Sequence, residues 1–205
     1  MKIQRLLIAI PTVDYIHFRF VESLSKLQKH LGALDIDYDV AFQGGTLVHL
    51  NRDALARKAW LNGYSHVLWL DADMVFEPAA FDALVEADRD ICCGVFRGRH
   101  DGELKLAMYS SFKPSVRMEA LPDTNEPFEI AGCGFAFVLM RREALEDVLK
   151  NNDASGFRPT ASLSEDLAFC DRAAKRGWEI YCQPKARVGH IGQIVIGADK
   201  SLTPV

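Results

Sequence analysis

Ser65-His66-Val67-Leu68-Trp69-Leu70-Asp71-Ala72-Asp73 is an apolar run that ends in two carboxylates. Its branched and aromatic residues fit a buried strand. Residues i and i+2 share one side of an extended chain, so Asp71 and Asp73 point together. At the carboxyl end of a parallel strand they face the crevice in which open α/β sheets bind ligands. Two anions held there repel one another unless a cation joins them. Hard oxygen donors suit Mg²⁺ or Mn²⁺, and such an ion is usually held to bind a diphosphate. A solvated turn closing a strand can carry the same two residues, so the rest of the chain has to decide.

Outward from this run, strands alternate with helices. Arg5–Pro11 reads as a strand, followed by a loop with Thr12 and Asp14 and a helix over about His17–Leu31 that stops at Gly32. Ile36–Phe42 reads as a partly exposed strand and Val48–Asn62 as a helix ending at Gly63. Pro78 opens a helix to about Asp88, since proline suits a first turn, and Ile91–Phe96 is the next strand. Successive β-α-β units predict a parallel, doubly wound sheet. The second half changes character. Leu104–Phe112 and Glu129–Met140 read as longer strands, Arg141–Lys150 and Leu163–Arg176 as helices, and Trp178–Cys182 and Ala186–His190 as short strands. The expectation is an α/β protein with a mostly parallel sheet flanked by helices and a mixed C-terminal half. No stretch reads as a domain linker. One domain over 1–205 is expected, with a first half of about 1–100 and a second of about 101–205.

Composition narrows the class. With 205 residues, 49% of them hydrophobic, the chain can bury a full core. A net charge of −4 without a Lys/Arg run argues against a nucleic-acid surface. The apolar stretch Leu6–Pro11 is too short for a signal or transmembrane segment. Five cysteines, at 92, 93, 133, 170 and 182, are an odd number without C-x-x-C spacing. Reduced buried thiols and a cytoplasmic location are expected.

Three further stretches carry chemistry. In Ser162-Leu163-Ser164-Glu165-Asp166, Ser162 and Glu165 have capping-box spacing, which leaves Asp166 free to face the crevice as a base. His190, between Gly189 and Gly192, could complete a mixed O/N metal site and favour Mn²⁺. Ala131-Gly132-Cys133-Gly134-Phe135 indicates either close backbone approach by a substrate or a bulge. Arg52, in Asn51-Arg52-Asp53, could meet a phosphate or lie on a solvated helix face. Leu47, Leu50, Ala54, Leu55 and Leu61 have helical spacing and read as core, as do Phe18, Phe76, Phe81, Phe135, Phe137 and Trp178. His66 reads as structural, and His17, His30, His49 and His100 show no partner spacing.

Together these motifs resemble GT-A glycosyltransferases, closest to the small, single-domain, family-2-like enzymes of bacteria and viruses. The likeness rests on Trp69-Leu70-Asp71-Ala72-Asp73-Met74 after a helix with Asn51-Arg52, then Ala131–Phe135 and Leu139-Met140-Arg141-Arg142. It continues through Ser164-Glu165-Asp166-Leu167-Ala168-Phe169-Cys170, Arg176-Gly177-Trp178 and Val188–Gly192. It implies a metal-dependent transfer of a sugar from a nucleoside-diphosphate donor, a UDP-hexose being favoured, to a hydroxyl of a glycan or other acceptor. On it, Pro11, Thr12 and Asp14 cradle base and ribose, with Arg52 near the nucleotide sugar. Asp71 and Ala72 meet the ribose or donor sugar, and Gly132 and Gly134 line the sugar. Asp73 and His190 hold Mn²⁺ or Mg²⁺, and Asp166 with Glu165 carries the base or acceptor-binding role. Rival readings are a nucleotidyltransferase, though Pro11-Thr12-Val13-Asp14 is neither Gly-rich nor basic, and a binding module with a degenerate site. A haloacid-dehalogenase-like phosphatase would carry its Asp-x-Asp on the first strand and not the third.

Overall fold

A computed structural model describes residues 2–12, 15–100, 103–112, 114–192, 194–196 and 202–204. The first half runs β1 (Arg5–Pro11), α1 (Phe18–Ala33), β2 (Asp37–Gln43), α2 (Val48–Leu61), β3 (His66–Leu70), β4 (Met74–Val75), α3 (Pro78–Ala87) and β5 (Ile91–Val95). Short strands follow: β6 (Arg97–His100), β7 (Glu103–Leu106), β8 (Met108–Phe112), β9 (Ser115–Arg117), β10 (Phe128–Ile130) and β11 (Gly132–Cys133). The chain continues with β12 (Phe137–Arg141), α4 (Arg142–Lys150), α5 (Glu165–Lys175), β13 (Ile180–Arg187), β14 (Gly189–His190), β15 (Ile194–Ile196) and β16 (Leu202–Pro204).

The central sheet has seven strands in the order β10-β13-β5-β12-β3-β1-β2. β1 pairs in parallel with β2 and β3, and β13 with β5. β12 enters between β3 and β5 antiparallel to both, and β10 closes the far edge antiparallel to β13. The sheet is therefore mostly parallel, with its exceptions in the second half. Alternation along the strands sorts side chains onto two buried layers. Leu7, Ala9, Val67 and Trp69 face the layer that holds α2, α4 and α5. Leu6, Ile8, Ile10, Leu68 and Leu70 face the layer of α1 and α3. Continuing the period, Asp71 emerges on the same side as Trp69, toward α2.

Local signals explain most helix ends. The His17 ring accepts from the Arg19 amide at the start of α1, and Pro78 occupies the first turn of α3. Gly63 and Gly177, at φ 71° and 87°, turn the chain left-handed just past α2 and α5. α1 buries Phe20, Leu24, Leu27 and Leu31 at helical spacing but runs past Gly32 to Ala33.

Several expectations need correction. Leu47, Leu50 and Leu61 are exposed, Leu61 by 75%, while α2 buries Asn51, Arg52, Asp53, Leu55, Ala56 and Ala59 instead. Phe18 is also exposed and stacks on His17. The run Glu129–Met140 is not one strand but β10, β11 and β12, which lie in two different sheets. Leu104–Phe112 likewise divides into β7 and β8, in separate sheets. Ser162 and Glu165 make no capping box: Ser164 is the N-cap of α5, without a side-chain cap bond, and Glu165 is the first helical residue. His30 does have a partner, Asp82, at 2.8 Å.

The loop before α5 is tied down by a buried acid. Asp53 accepts from the Ser155 hydroxyl at 2.7 Å and from the Phe157 amide at 2.9 Å. Phe157 then packs within an aromatic cluster, 5.0 Å from Trp69, 5.1 Å from Phe135 and 4.5 Å from Phe169, centroid to centroid. Phe157→Ala should cost about 3–5 kcal/mol in urea unfolding, as large-to-small changes at fully packed aromatics do. Leu61→Ala, at an exposed site, should stay within about 0.5 kcal/mol. Equal effects would show that the cluster does not hold the α5 side of the molecule.

Candidate active site

The site forms where the ends of β3, α2 and α5 meet the chain between β11 and β12. At its base lies Arg52, whose side chain is only 2% exposed. A buried guanidinium needs anionic or carbonyl partners. It donates to Asp71 Oδ1 at 3.0 Å and to the Phe135 carbonyl at 3.4 Å, and its Nε stands 3.2 Å from Asp166 Oδ1. That last contact is ionic and not an aligned hydrogen bond, which leaves both atoms without a hydrogen-bond partner of good direction. The chain at 134–136 acts as a backbone bracket. The Ala136 carbonyl accepts from the Asp71 amide at 3.1 Å, and the Phe135 amide donates to Asp166 Oδ2 at 3.2 Å.

Asp73 sits one turn beyond. β14 pairs antiparallel with β4 so that His190 stands opposite Met74, and the Ile191 amide donates to the Asp73 carbonyl at 2.8 Å. This register brings His190 Nε2 to 3.0 Å from Asp73 Oδ2, while Nδ1 stands 3.3 Å from the Arg97 carbonyl. The two acids of the opening stretch thus separate: Asp71 pairs with Arg52, and Asp73 with His190.

Two pockets open on these groups. The larger, of about 1050 Å³, is lined by Pro11, Thr12, Tyr15, His17, Thr46, Asn51, Asp71, Ala72, Asp73, Arg97 and His190, among others. The smaller, of about 210 Å³, is lined by Tyr109, Arg117, Gly134, Phe135, Asp166 and others. Asp71 and His190 belong to both. Asn51 is 2% exposed, and its amide oxygen is buried without a protein partner while its nitrogen donates to the Thr46 carbonyl.

Some sequence-chosen residues lie elsewhere. Gly132 lines neither pocket: a Cβ there would meet the Phe112 ring and Cys170, so close approach is by the protein's own core. Gly134 does face the smaller pocket, where a Cβ would press on Phe96. Glu165 lines neither pocket, and Arg52 lies beneath both, out of reach of a phosphate. Asp14 lies outside the described residues. Asn51, Arg97, Tyr109, Arg117, Tyr15 and His17 are additions. Only Asn51, directly beside Arg52, had a sequence signal that marked its neighbourhood.

Electrostatics follow the same geometry. Burial works against the charge on Arg52, but Asp166 and Asp71 outweigh it and lift its pKa above the ordinary value. Burial pushes Asp71 up while Arg52 pulls it down, and with 31% of its side chain exposed the desolvation is partial. Asp166 is pushed up to about 7, first by burial, with Glu165 and Asp71 adding to the rise and Arg52 opposing it. The hydrogen bond to Asp73 raises His190 above its usual value.

Asp73 and His190 are the two side chains here that could hold a hard divalent ion. Their 3.0 Å separation is that of the hydrogen bond between the two side chains. Among the described residues no group of three or more His, Cys, Asp or Glu side chains is placed to hold a metal. An ion here would complete its shell with substrate oxygens and water, as Mg²⁺ sites on nucleotides do.

No protein-family model matches the sequence, and no curated protein matches it in sequence. Solved structures do match. A197 from STIV superposes with a TM-score of 0.62 at 17% identity, over 98% of this chain and 93% of that one. The catalytic domain of Drosophila beta1,4galactosyltransferase 7, solved with xylobiose, superposes at 0.56 and 11% identity, over 93% of this chain and 71% of that one. The shared property is the fold, which is Rossmann-like and of the GT-A type. Among the described residues no helix is long and apolar enough to cross a membrane.

A titration tests the charge arrangement. A folded pKa near 7 against 3.8 unfolded means that the native state keeps the Asp166 proton longer. Stability from this group is full below about pH 4 and is lost as pH rises through about 7. Carboxyl ¹³C NMR should place the Asp166 midpoint near 7. It should move higher still in Arg52→Gln, which removes the opposing cation. A midpoint in the ordinary aspartate range would overturn this account of the site.

Proposed function

We propose that the protein is a glycosyltransferase that moves a sugar from a nucleoside-diphosphate donor, a UDP-hexose being favoured, to a hydroxyl of a glycan or other acceptor. One observation carries the reading. A wide pocket with the Asp73–His190 pair and a small pocket with Asp166 meet at Asp71 and His190. Transfer needs that layout, a diphosphate seat and a base either side of one carbon.

Pro11, Thr12 and Ala72 wall the nucleotide, and the unpartnered Asn51 oxygen offers an acceptor for a ligand N–H or O–H. The first half of the chain, about 1–100, supplies most of this pocket, and the second, about 101–205, supplies the acceptor side. Asp73 and His190 would hold Mn²⁺ or Mg²⁺, which when bound acts as a Lewis acid toward the departing diphosphate. Asp71 accepts from a donor-sugar hydroxyl while Arg52 fixes its orientation. Gly134, lacking a side chain, leaves room beside it.

Asp166 takes the proton from the acceptor hydroxyl in a single displacement. The acceptor oxygen bonds to the anomeric carbon as the bond from that carbon to the diphosphate oxygen breaks, and the electron pair leaves with the diphosphate. A base that titrates near 7 combines a useful ionised fraction with proton affinity at neutral pH. Glu165, outside the pocket, acts through its charge by raising Asp166. Arg52 positions both acids and touches no substrate.

Calorimetry of UDP binding should show affinity with Mn²⁺ that is lost in EDTA and in Asp73→Ala. His190→Ala should weaken the same binding but leave the apo melting temperature nearly unchanged, because the ring is part-exposed. Asp166→Asn should keep UDP affinity and reduce turnover by about 10²-fold or more. Equal UDP affinity with and without metal would sink the metal role. Full turnover in Asp166→Asn would remove the base.

A further inference from the structure

The smaller pocket contains a cation that the transfer step leaves unused. Tyr109 in β8 and Arg117 in β9 are register partners on one hairpin, and both line the pocket that holds Asp166. The Arg117 guanidinium carbon lies 4.9 Å from the centre of the Tyr109 ring, and one terminal nitrogen donates to the Tyr109 hydroxyl. The other reaches the Leu106 carbonyl at 3.4 Å. The ring contact and these two bonds hold the group in place, yet they use only part of a fork with five N–H donors. Among the described residues Arg117 has no carboxylate partner. The acids of the same pocket, Asp71 and Asp166, are held by Arg52.

A neutral sugar would need no guanidinium beside two carboxylates, and an anion would be repelled by them without one. A planar, pre-oriented fork with spare donors matches a carboxylate or phosphate in two-point contact. The geometry points to an acceptor that carries an anionic group, a carboxylate or a phosphate, held by Arg117 while its hydroxyl faces Asp166. Calling the ligand an acceptor rests on the transferase reading; the anion seat does not. Arg117 and Tyr109 are then specificity residues, with Tyr109 as the plate that holds the fork in place.

The test is binding, not transfer, with the full chain in Mn²⁺ and UDP. Calorimetry would compare p-nitrophenyl β-D-glucuronide, p-nitrophenyl β-D-glucoside 6-phosphate and the neutral p-nitrophenyl β-D-glucoside. At least one anionic probe should bind about tenfold or more tighter than the neutral one. Whichever does so tells carboxylate from phosphate. Arg117→Gln should abolish the preference while UDP binding stays normal, and Arg117→Lys, which keeps charge but not the fork, should retain part of it. Tyr109→Phe should weaken it less than Arg117→Gln. Equal binding of all three probes, no binding of any at 10 mM (roughly the limit of a specific subsite), or an unchanged preference in Arg117→Gln overturns the proposal. Loss of UDP binding in the wild type with the anion preference intact would instead defeat the transferase reading and leave the seat standing.

Discussion

A buried guanidinium governs this site. Arg52 sits in the middle of α2, beneath the pockets, and its charge must be met from within the protein. The partners come from three separate places: the end of β3, the first turn of α5 and the backbone between β11 and β12. Leaving such a group unpaired costs about 3–5 kcal/mol, more than most single contacts contribute. The fold therefore closes correctly only when Asp71, Asp166 and the Phe135 carbonyl converge. Asp53, the next residue, fixes the loop leading to α5, so consecutive positions of one helix position both the acid and the element that presents it.

The same constraint sets the chemistry. One guanidinium faces two carboxylates, with Glu165 adding a third negative charge nearby. It cannot neutralise them all, and Asp166, the more enclosed of the pair, is left holding a proton near neutrality. Asp71 is also raised by burial, with Arg52 opposing the rise through the contact that fixes it, and the other acid of the Asp-x-Asp stretch pairs with His190. The strand period explains this division. Asp71 continues the α2-facing side of β3, whereas the turn that follows carries Asp73 to where β14 crosses.

The parts of this arrangement written in local pattern were legible in the sequence. β1, β3 and β5 announce themselves as apolar runs, and α1, α2 and α5 stop within two residues of their glycines. The Asp71–Asp73 pair, Asp166 and His190 were marked by their places at strand and helix ends, positions that capping and turns also fill. What stayed hidden depends on tertiary placement. Nothing local says that β12 inserts between β3 and β5, or that a continuous-looking run from 129 to 140 serves two sheets. Leu47, Leu50 and Leu61 have core spacing, yet α2 turns its Asn-Arg-Asp face inward because that is where the carboxylates are. Phe157 lies between α4 and α5, where no periodic pattern marks it as core, and the buried Asp53 holds its amide there.

The Ala131–Phe135 stretch shows how a motif can be noticed and its reason misplaced. Glycines there invite the idea of a ligand approaching the backbone. At Gly132 the approaching groups are Phe112 and Cys170, so its small size serves packing. Gly134 lies against Phe96 and faces the pocket, and the peptide groups that follow supply the amide for Asp166 and the carbonyls for Arg52 and Asp71. The stretch acts through its backbone, which any side chain at Gly134 would displace from Phe96. Asp71 and His190 wall both pockets. A group that donates to Asp71 draws on the same carboxylate that Arg52 holds, and Arg52 in turn faces Asp166. A single buried charge thus lies against both Asp71 and Asp166.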